Sequence, residues 1–234
     1  MSMDYIYLSE DYKKNPKLIF KFIYELINKN NKNLIKKNSY IDILDIGCAK
    51  GEFLYFINKN IKNLRYIYGI DNSKTLISSA KKNLINDYKF IVKNGENFSL
   101  NKKFDIITSI GLTGFFDDLN KHLNCIKNHL KKNGQAYVLH LFNKHDVDVI
   151  VRYKKSEDKN YLKGWNLHSI KTIEKILKKN QLKIVSLKEF KLPFNLSPKK
   201  DPLRSWTLNT PNGSKFINGL GQIYSLYCFK IKKC

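Results

Sequence analysis

The stretch Ile41-Asp42-Ile43-Leu44-Asp45-Ile46-Gly47-Cys48-Ala49-Lys50-Gly51-Glu52-Phe53 constrains the fold more than any other part of the chain. Ile41, Ile43, Leu44 and Ile46 form a short apolar run suited to the middle of a parallel sheet, and the run ends at a carboxylate followed by glycine. Gly47 and Gly51 permit tight turning and close backbone approach, and the residues after Gly51 offer free N–H groups at a helix N-terminus. Strand, glycine loop and helix in that order are where a nucleotide-like cofactor binds.

Apolar and polar periodicity continues the pattern on both sides of this segment. Leu18, Ile19, Phe22, Ile23, Leu26 and Ile27 recur at three- and four-residue spacing and predict an amphipathic helix over Pro16 to Lys36. After a helix near Glu52 to Asn60, strands are expected at Tyr66–Asp71, Phe90–Val92, Phe104–Ser109, Gln135–Leu141, Leu182–Lys188 and Ile223–Ile231. Helices at Ser73–Asn86, Asp118–Lys131 and Ser169–Asn180 alternate with them. Such alternation predicts a doubly wound α/β fold: a mostly parallel, Rossmann-like sheet of seven strands, helices on both faces, and the last strand antiparallel.

The 234 residues fit one domain. Within it we expect an N-terminal helical region (1–38), a cofactor-binding core (39–141), and two insertions, 142–168 and 192–222, that supply a lid or acceptor site. No apolar run approaches the ~20 residues that span a bilayer, and the N-terminus lacks a signal pattern, so a soluble, cytoplasmic protein without membrane contact is expected. Cys48, Cys125, Cys228 and Cys234 show neither disulfide nor zinc spacing.

The formal net charge of +23 would ordinarily suggest nucleic acid. Yet Arg65, Arg152 and Arg204 are the only arginines, and lysine and asparagine are spread through every segment, as in compositional drift of an AT-rich genome. An RNA-binding face would need these lysines to converge.

Asp71 ends the second strand 20 residues beyond Gly51. A carboxylate there can accept hydrogen bonds from both ribose hydroxyls of a ligand lying over the glycine loop. Its alternative role is to cap the helix that begins near Ser73. An NAD-type loop fits less well, since G-x-G-x-x-G placed from Gly47 would need glycine at Ala49 and Glu52 and leaves Asp45 unexplained.

From Ile41 to Leu141 the chain resembles the class I S-adenosylmethionine-dependent methyltransferases. Their acid-x-Gly-x-Gly-x-Gly motif falls on Asp45-Ile46-Gly47-Cys48-Ala49-Lys50-Gly51, with Ala49 at the middle glycine. The ribose acid falls on Asp71, followed by Asn72, and the adenine-contacting segment on Lys93-Asn94-Gly95-Glu96-Asn97. The fourth motif falls on Phe104 to Leu112, which includes Ser109 and Ile110, and the turn before the fifth strand on Leu130-Lys131-Lys132-Asn133-Gly134. The resemblance implies S-adenosyl-L-methionine as cofactor, S-adenosyl-L-homocysteine as product, and Asp45 near the methionine ammonium. It implies cofactor contacts from Asp45, Gly47, Cys48, Ala49, Gly51, Asp71, Asn72, Asn94, Gly95, Ser109 and Ile110.

Thr113-Gly114-Phe115 stand where many relatives carry a histidine, so none is transferred from that position. Motifs of DNA amino- and C5-methylating enzymes are missing, and DNA is not an expected partner. His140, at the end of the fifth strand, is the candidate general base by position. Trp165 and Trp206, in the two insertions, are candidate acceptor contacts. His145, Asp146 and Asp148 follow no ligand motif, and no metal is expected. A small-molecule acceptor methylated on oxygen, such as a sugar or other polar metabolite, is the leading expectation. RNA methylation and a non-catalytic cofactor-binding regulator or scaffold are the alternatives.

Overall fold

In the computed structural model, residues 4–9, 13–31, 39–84, 87–198, 201, 203–211 and 213–234 are described. Helices α1 (Asp4–Ser9) and α2 (Leu18–Asn30) precede strand β1 (Ile41–Ile46). Then follow α3 (Glu52–Asn60), β2 (Leu64–Asp71), α4 (Lys74–Asn83), β3 (Tyr88–Val92), β4 (Phe104–Ile110), a 3-10 turn (Thr113–Phe115), α5 (Asn120–His129) and β5 (Leu130–Asn143). The helix expected over Pro16 to Lys36 is observed as α2, and residues 32–36 lie outside the described residues. Residues 85–86, at the end of the helix expected after Ser73, also lie outside them.

All six residues of β1 are buried, and β2 and β4 flank it in parallel. Strand alternation sends its side chains to opposite faces of the sheet. Ile41 and Ile43 join Phe20, Ile23 and Ile27 of α2, Leu54 and Ile57 of α3, and Ile77 of α4. Leu44 and Ile46 join Leu123 and Ile126 of α5 and Ile173 and Leu177 of α6 (Ile170–Lys179) on the other face. Helices therefore cover both faces, as expected. Their starts are fixed locally: Ser73 Oγ accepts the Leu76 N–H at 3.1 Å, and Ser169 Oγ accepts the Thr172 N–H at 3.0 Å.

Among the described residues the sheet has ten strands rather than the expected seven. Order β3-β2-β1-β4-β5 is continued by β12 (Ile223–Lys233), which runs antiparallel between β5 and β9 (Leu182–Phe190). The extra strands come from the insertions, whose turn-rich composition hides short pairings. Within 142–168, β8 (His168–Ser169) pairs with β5, while β6 (Arg152–Tyr153) and β7 (Leu162–Lys163) form a separate two-stranded ribbon. Within 192–222, β10 (Trp206–Thr210) and β11 (Gly213–Ile217) form a hairpin whose second strand meets β12 at Phe216 and Tyr224.

At the amino end of the sheet, Asp42 is 1% exposed yet faces Lys131 at 2.8 Å, Arg65 at 3.1 Å and Lys102 at 3.9 Å. Burial alone would raise its pKa, but the hydrogen bonds from Arg65 and Lys131 hold it below the usual carboxylate range. This ion cluster lies at the end of the strands opposite the cavity described next. Among the described residues, no helix is long and apolar enough to cross a membrane.

Candidate functional site

A cavity of about 440 Å³ opens at the carboxyl ends of β1 to β4, where the strand order reverses around β1. That crevice is the usual ligand position in open α/β sheets. Of the residues proposed from the sequence to contact cofactor, Asp45, Gly47, Cys48, Ala49, Asp71, Asn72, Asn94, Gly95 and Ile110 line it. Gly51 and Ser109 do not.

The loop after β1 is shaped by its backbone. Gly47 (φ 77°) and Ala49 (φ 46°) are both left-handed, which costs a non-glycine residue about 1–2 kcal/mol. Ala49 thus occupies, under strain, the position at which the resembled motif has glycine. The Gly47 and Cys48 N–H groups donate to the Ile70 carbonyl at 2.8 and 3.0 Å. The Ala49 N–H donates to Asp71 Oδ2 at 3.0 Å, tying the loop to the end of β2.

Asp45 is 3% exposed, and its carboxylate accepts a hydrogen bond from Thr108 Oγ1 at 2.6 Å. Burial pushes its pKa up to about 7, and the nearby Asp71 adds to the rise. Asp71 is also raised by burial, against the hydrogen bonds it accepts. Its Oδ1 takes the Ser73 N–H at 2.9 Å, while Ser73, not Asp71, is the helix N-cap. Each carboxylate oxygen keeps acceptor capacity for a second donor. The Asn94 side-chain oxygen Oδ1 accepts the Glu96 N–H at 2.9 Å, shaping the turn after β3.

Gly51 is required by packing. It begins α3 at φ 77°, and a Cβ there would lie 2.5 Å from Cζ of Phe90. Gly51→Ala is expected to lower stability by about 1–3 kcal/mol in denaturant titration, through overpacking and strain together. A change below about 0.5 kcal/mol, the size of an ordinary surface substitution, would show instead that the Phe90 ring yields freely.

Ser109 points away from the cavity because it neighbours Ile110 on a strand, and adjacent side chains take opposite faces. It is fully buried, with Oγ 3.2 Å from His122 Nε2. His122 Nδ1 lies 2.7 Å from the Gly95 carbonyl, which can only accept, so Nδ1 carries the proton and Nε2 accepts from Ser109. Burial lowers the His122 pKa to about 4, keeping this relay neutral. The relay fixes Gly95, which does line the cavity.

His140, Trp165 and Trp206 lie outside the cavity lining. Burial, with a smaller contribution from His168, depresses the pKa of His140 to about 3. An imidazole so weakly basic and set apart from the cavity is poorly placed as the general base. Trp206 pairs with Ile217 in the β10–β11 hairpin. Asp146 pairs with Lys171, and Asp148 accepts the Ser169 N–H at 2.5 Å and the Thr172 hydroxyl at 2.8 Å, so both serve the start of α6. Among the described residues, no group of three His, Cys, Asp or Glu could hold a metal ion.

The sequence reading missed the wall supplied by Asp4 and Tyr7 of α1 and by Lys17 and Phe20 at the start of α2. Asp4 Oδ2 accepts the Ser73 hydroxyl at 2.7 Å, a contact 69 residues apart with no local signature. Leu112, Phe115 and Phe116 complete the cavity beyond β4.

Residues 13–187 match the family model described as "Methyltransferase domain". Among curated proteins, the 235L protein of Invertebrate iridescent virus 6, whose name assigns it provisionally to the methyltransferases, is 29% identical over 49% of this chain and 42% of its own length. Carboxy-S-adenosyl-L-methionine synthase of Trichodesmium erythraeum is 32% identical over 30% of each chain. The matches thus span less than half the length of these curated relatives. A Clostridium acetobutylicum S-adenosylmethionine-dependent methyltransferase superposes with a TM-score of 0.60 over 97% of this chain and 94% of its own, at 18% identity. The plantazolicin methyltransferase BpumL, solved with a desmethylplantazolicin analogue and S-adenosylhomocysteine, gives 0.58 over 95% and 88% at 16% identity. With the family model covering most of its length and this fold around the cavity, the chain belongs to the methyltransferase domain family and has the architecture of the class I S-adenosylmethionine-dependent enzymes.

Proposed function

We propose that the chain transfers the methyl group of S-adenosyl-L-methionine to an oxygen of a small polar molecule, such as a sugar or related metabolite. The observation that carries the cofactor reading is the convergence of Asp45, Asp71 and Asn94 on one cavity from the ends of β1, β2 and β3. Asp45 would hold the methionine ammonium, Asp71 the ribose hydroxyls, and Asn94 the adenine edge. Its carbonyl oxygen being engaged with Glu96 N–H, the Asn94 NH₂ is the part free to donate. Leu112 and Phe115 provide apolar wall between these polar points.

Bound S-adenosylmethionine supplies a sulfonium methyl group with a good leaving group already attached. The protein's task is to align donor and acceptor and exclude water, and alignment alone can contribute up to ~7–11 kcal/mol in the best intramolecular models. The small-molecule reading is supported by proteins of this fold solved with small organic ligands: BpumL with a desmethylplantazolicin analogue, and coclaurine N-methyltransferase with N-methylheliamine.

Calorimetric titration should show saturable binding of S-adenosylmethionine and none of NAD. No heat with the methionine cofactor at millimolar concentration would overturn the reading.

A further inference from the structure

At the end of the sheet opposite the cavity, positive charge is crowded. There the parallel strands begin and the antiparallel β12 finishes, so the first residues of β2, β4, β5 and β9 meet the last residues of β12. Arg65 lies at the start of β2, Lys102 and Lys103 precede β4, Lys131 and Lys132 lie at the start of β5, and Lys232 and Lys233 close β12. Distances bring these groups together. Lys131, Arg65 and Lys102 each place a nitrogen within 3.9 Å of one Asp42 carboxylate oxygen. Lys103 and Lys127, the latter in the last turn of α5, are close enough to Lys233 that their charge adds to burial in lowering its pKa. Lys232 faces Lys183 directly across β12 and β9, a like-charge pairing that costs stability.

Two ordinary explanations cover part of this face. Lysine is abundant throughout the chain, and a lysine in the last turn of a helix, such as Lys127, complements the helix dipole. Asp42 and Asp105 hold Lys131 between them, which gives that lysine a structural role. Neither abundance nor dipole explains the aromatic rings set among the cations. Tyr40 is 65% exposed and Tyr66 44%. The Arg65 guanidinium carbon lies 5.7 Å from the Tyr40 ring centroid and 4.7 Å from that of Tyr66, and Lys102 Nζ lies 3.6 Å from the latter. Two hydrogen bonds of 3.1 Å to Asp42 fix the guanidinium beside both rings. Large exposed rings next to an oriented guanidinium and several lysines form a stacking surface edged with charge.

That combination selects a partner by its chemistry. Phosphates take up lysines and release counterions, while unpaired bases stack on tyrosine and arginine. An acidic peptide would use the charge and leave the rings idle, and a duplex keeps its base faces inside. Single strands with bases turned outward are the form in which RNA is usually read. The cavity end has the opposite character, since Asp4, Asp45, Glu52 and Asp71 line the cavity with Lys17. We propose that the face around Tyr40, Arg65, Tyr66 and Lys102 docks single-stranded RNA, at the far end of the sheet from the cofactor cavity. So placed, the RNA is a docked partner rather than the methyl acceptor, and the surface stands whether or not the methyl-transfer reading does.

Fluorescence anisotropy of a labelled oligouridylate of about a dozen nucleotides, titrated with the full chain from about 50 to 200 mM salt, tests the surface. Tyr40→Leu with Tyr66→Leu keeps the charge and should weaken binding by about tenfold or more without altering the salt dependence. Lys103→Gln, Lys132→Gln and Lys183→Gln together should make the slope of log affinity against log salt shallower by about 2. Equal charge removed from the β6–β7 segment, by Lys154→Gln, Lys155→Gln and Lys159→Gln, should change affinity by less than about twofold, because charges beyond a Debye length are screened. All six lysines are exposed, so both sets of variants should fold. Equal losses from the two lysine sets would show attraction by overall charge alone and overturn the surface. So would a tyrosine variant within about twofold of wild type, duplex RNA bound as tightly as the single strand, or polyglutamate of equal charge displacing the label as well as unlabelled oligouridylate does. A preference of about tenfold for the matching DNA strand would overturn RNA as the partner.

Discussion

Asp45→Asn is expected to weaken S-adenosylmethionine binding by about a hundredfold or more at pH 8, the largest effect of any single substitution in the cavity. Removing one partner of a buried ion pair typically costs about 3–5 kcal/mol, because the remaining charge is left uncompensated. The exchange is nearly isosteric and keeps an oxygen for the Thr108 hydroxyl, so the loop should hold its shape. Burial raises the Asp45 pKa to about 7, whereas an ammonium beside it would require the ionised form. Wild-type affinity should therefore be flat above pH 7 and fall by about tenfold per pH unit below it. The variant should lose that dependence.

Stability has the opposite sign. With a folded-state pKa raised from 3.8 to about 7, Asp45 favours the fold at low pH. That contribution fades as pH rises from the ordinary carboxylate range to about 7, so cofactor-free protein loses this increment of stability where binding gains. Calorimetry at pH 6 and 8, alongside denaturant titrations of both proteins, checks both slopes. A pH-independent wild-type affinity, or a variant within about threefold of it, would remove Asp45 from the ammonium role, since a charged hydrogen bond is worth more than that.

Asp71→Asn should weaken cofactor binding by about tenfold to a hundredfold, as charge-assisted hydrogen bonds of about 1.5–3 kcal/mol become neutral ones. An amide can still accept the Ser73 N–H, but it cannot also accept the Ala49 N–H, and that link to the glycine loop is lost. Folding should consequently suffer by only about 0.5–1.5 kcal/mol. Comparable losses of binding and stability would reduce Asp71 to a tether for the loop. Ser73 already caps α4, so the capping role first open to Asp71 belongs to its neighbour.

What the sequence disclosed follows from how far each signal reaches. The run Ile41 to Ile46 and the strand Phe104–Ile110 announced themselves because central parallel strands are buried on both faces and are rich in apolar residues, here interrupted only by a few polar side chains. Asp45, Asp71 and Asn94 were found because the motifs of the resembled methyltransferases fall on the carboxyl ends of β1 and β2 and just after β3. Ser109 was misplaced where a motif was copied whole. Strand alternation allows only one of the neighbours Ser109 and Ile110 to face the cavity. Asp4 and Tyr7 left no trace at all, since their place depends on α1 meeting Ser73 across the fold. Among the insertions, β6, β7 and β8 have two residues each, too few for any periodicity to register.

The antiparallel strand β12 has a consequence for how the molecule is made. β5 pairs with β12 from Ala136 with Ile231 to Phe142 with Ser225, and β9 pairs with the opposite edge of β12. A nascent chain that has emerged only as far as β9 therefore exposes an unsatisfied edge on β5 and holds β9 with no strand beside it. Open edges of this kind invite pairing between molecules, and contacts so distant in sequence are the slow ones to form. Closure of the sheet thus waits on residues 223–233, which are synthesised well after β5, and damage to β12 should appear first as aggregation during expression rather than as an altered cavity.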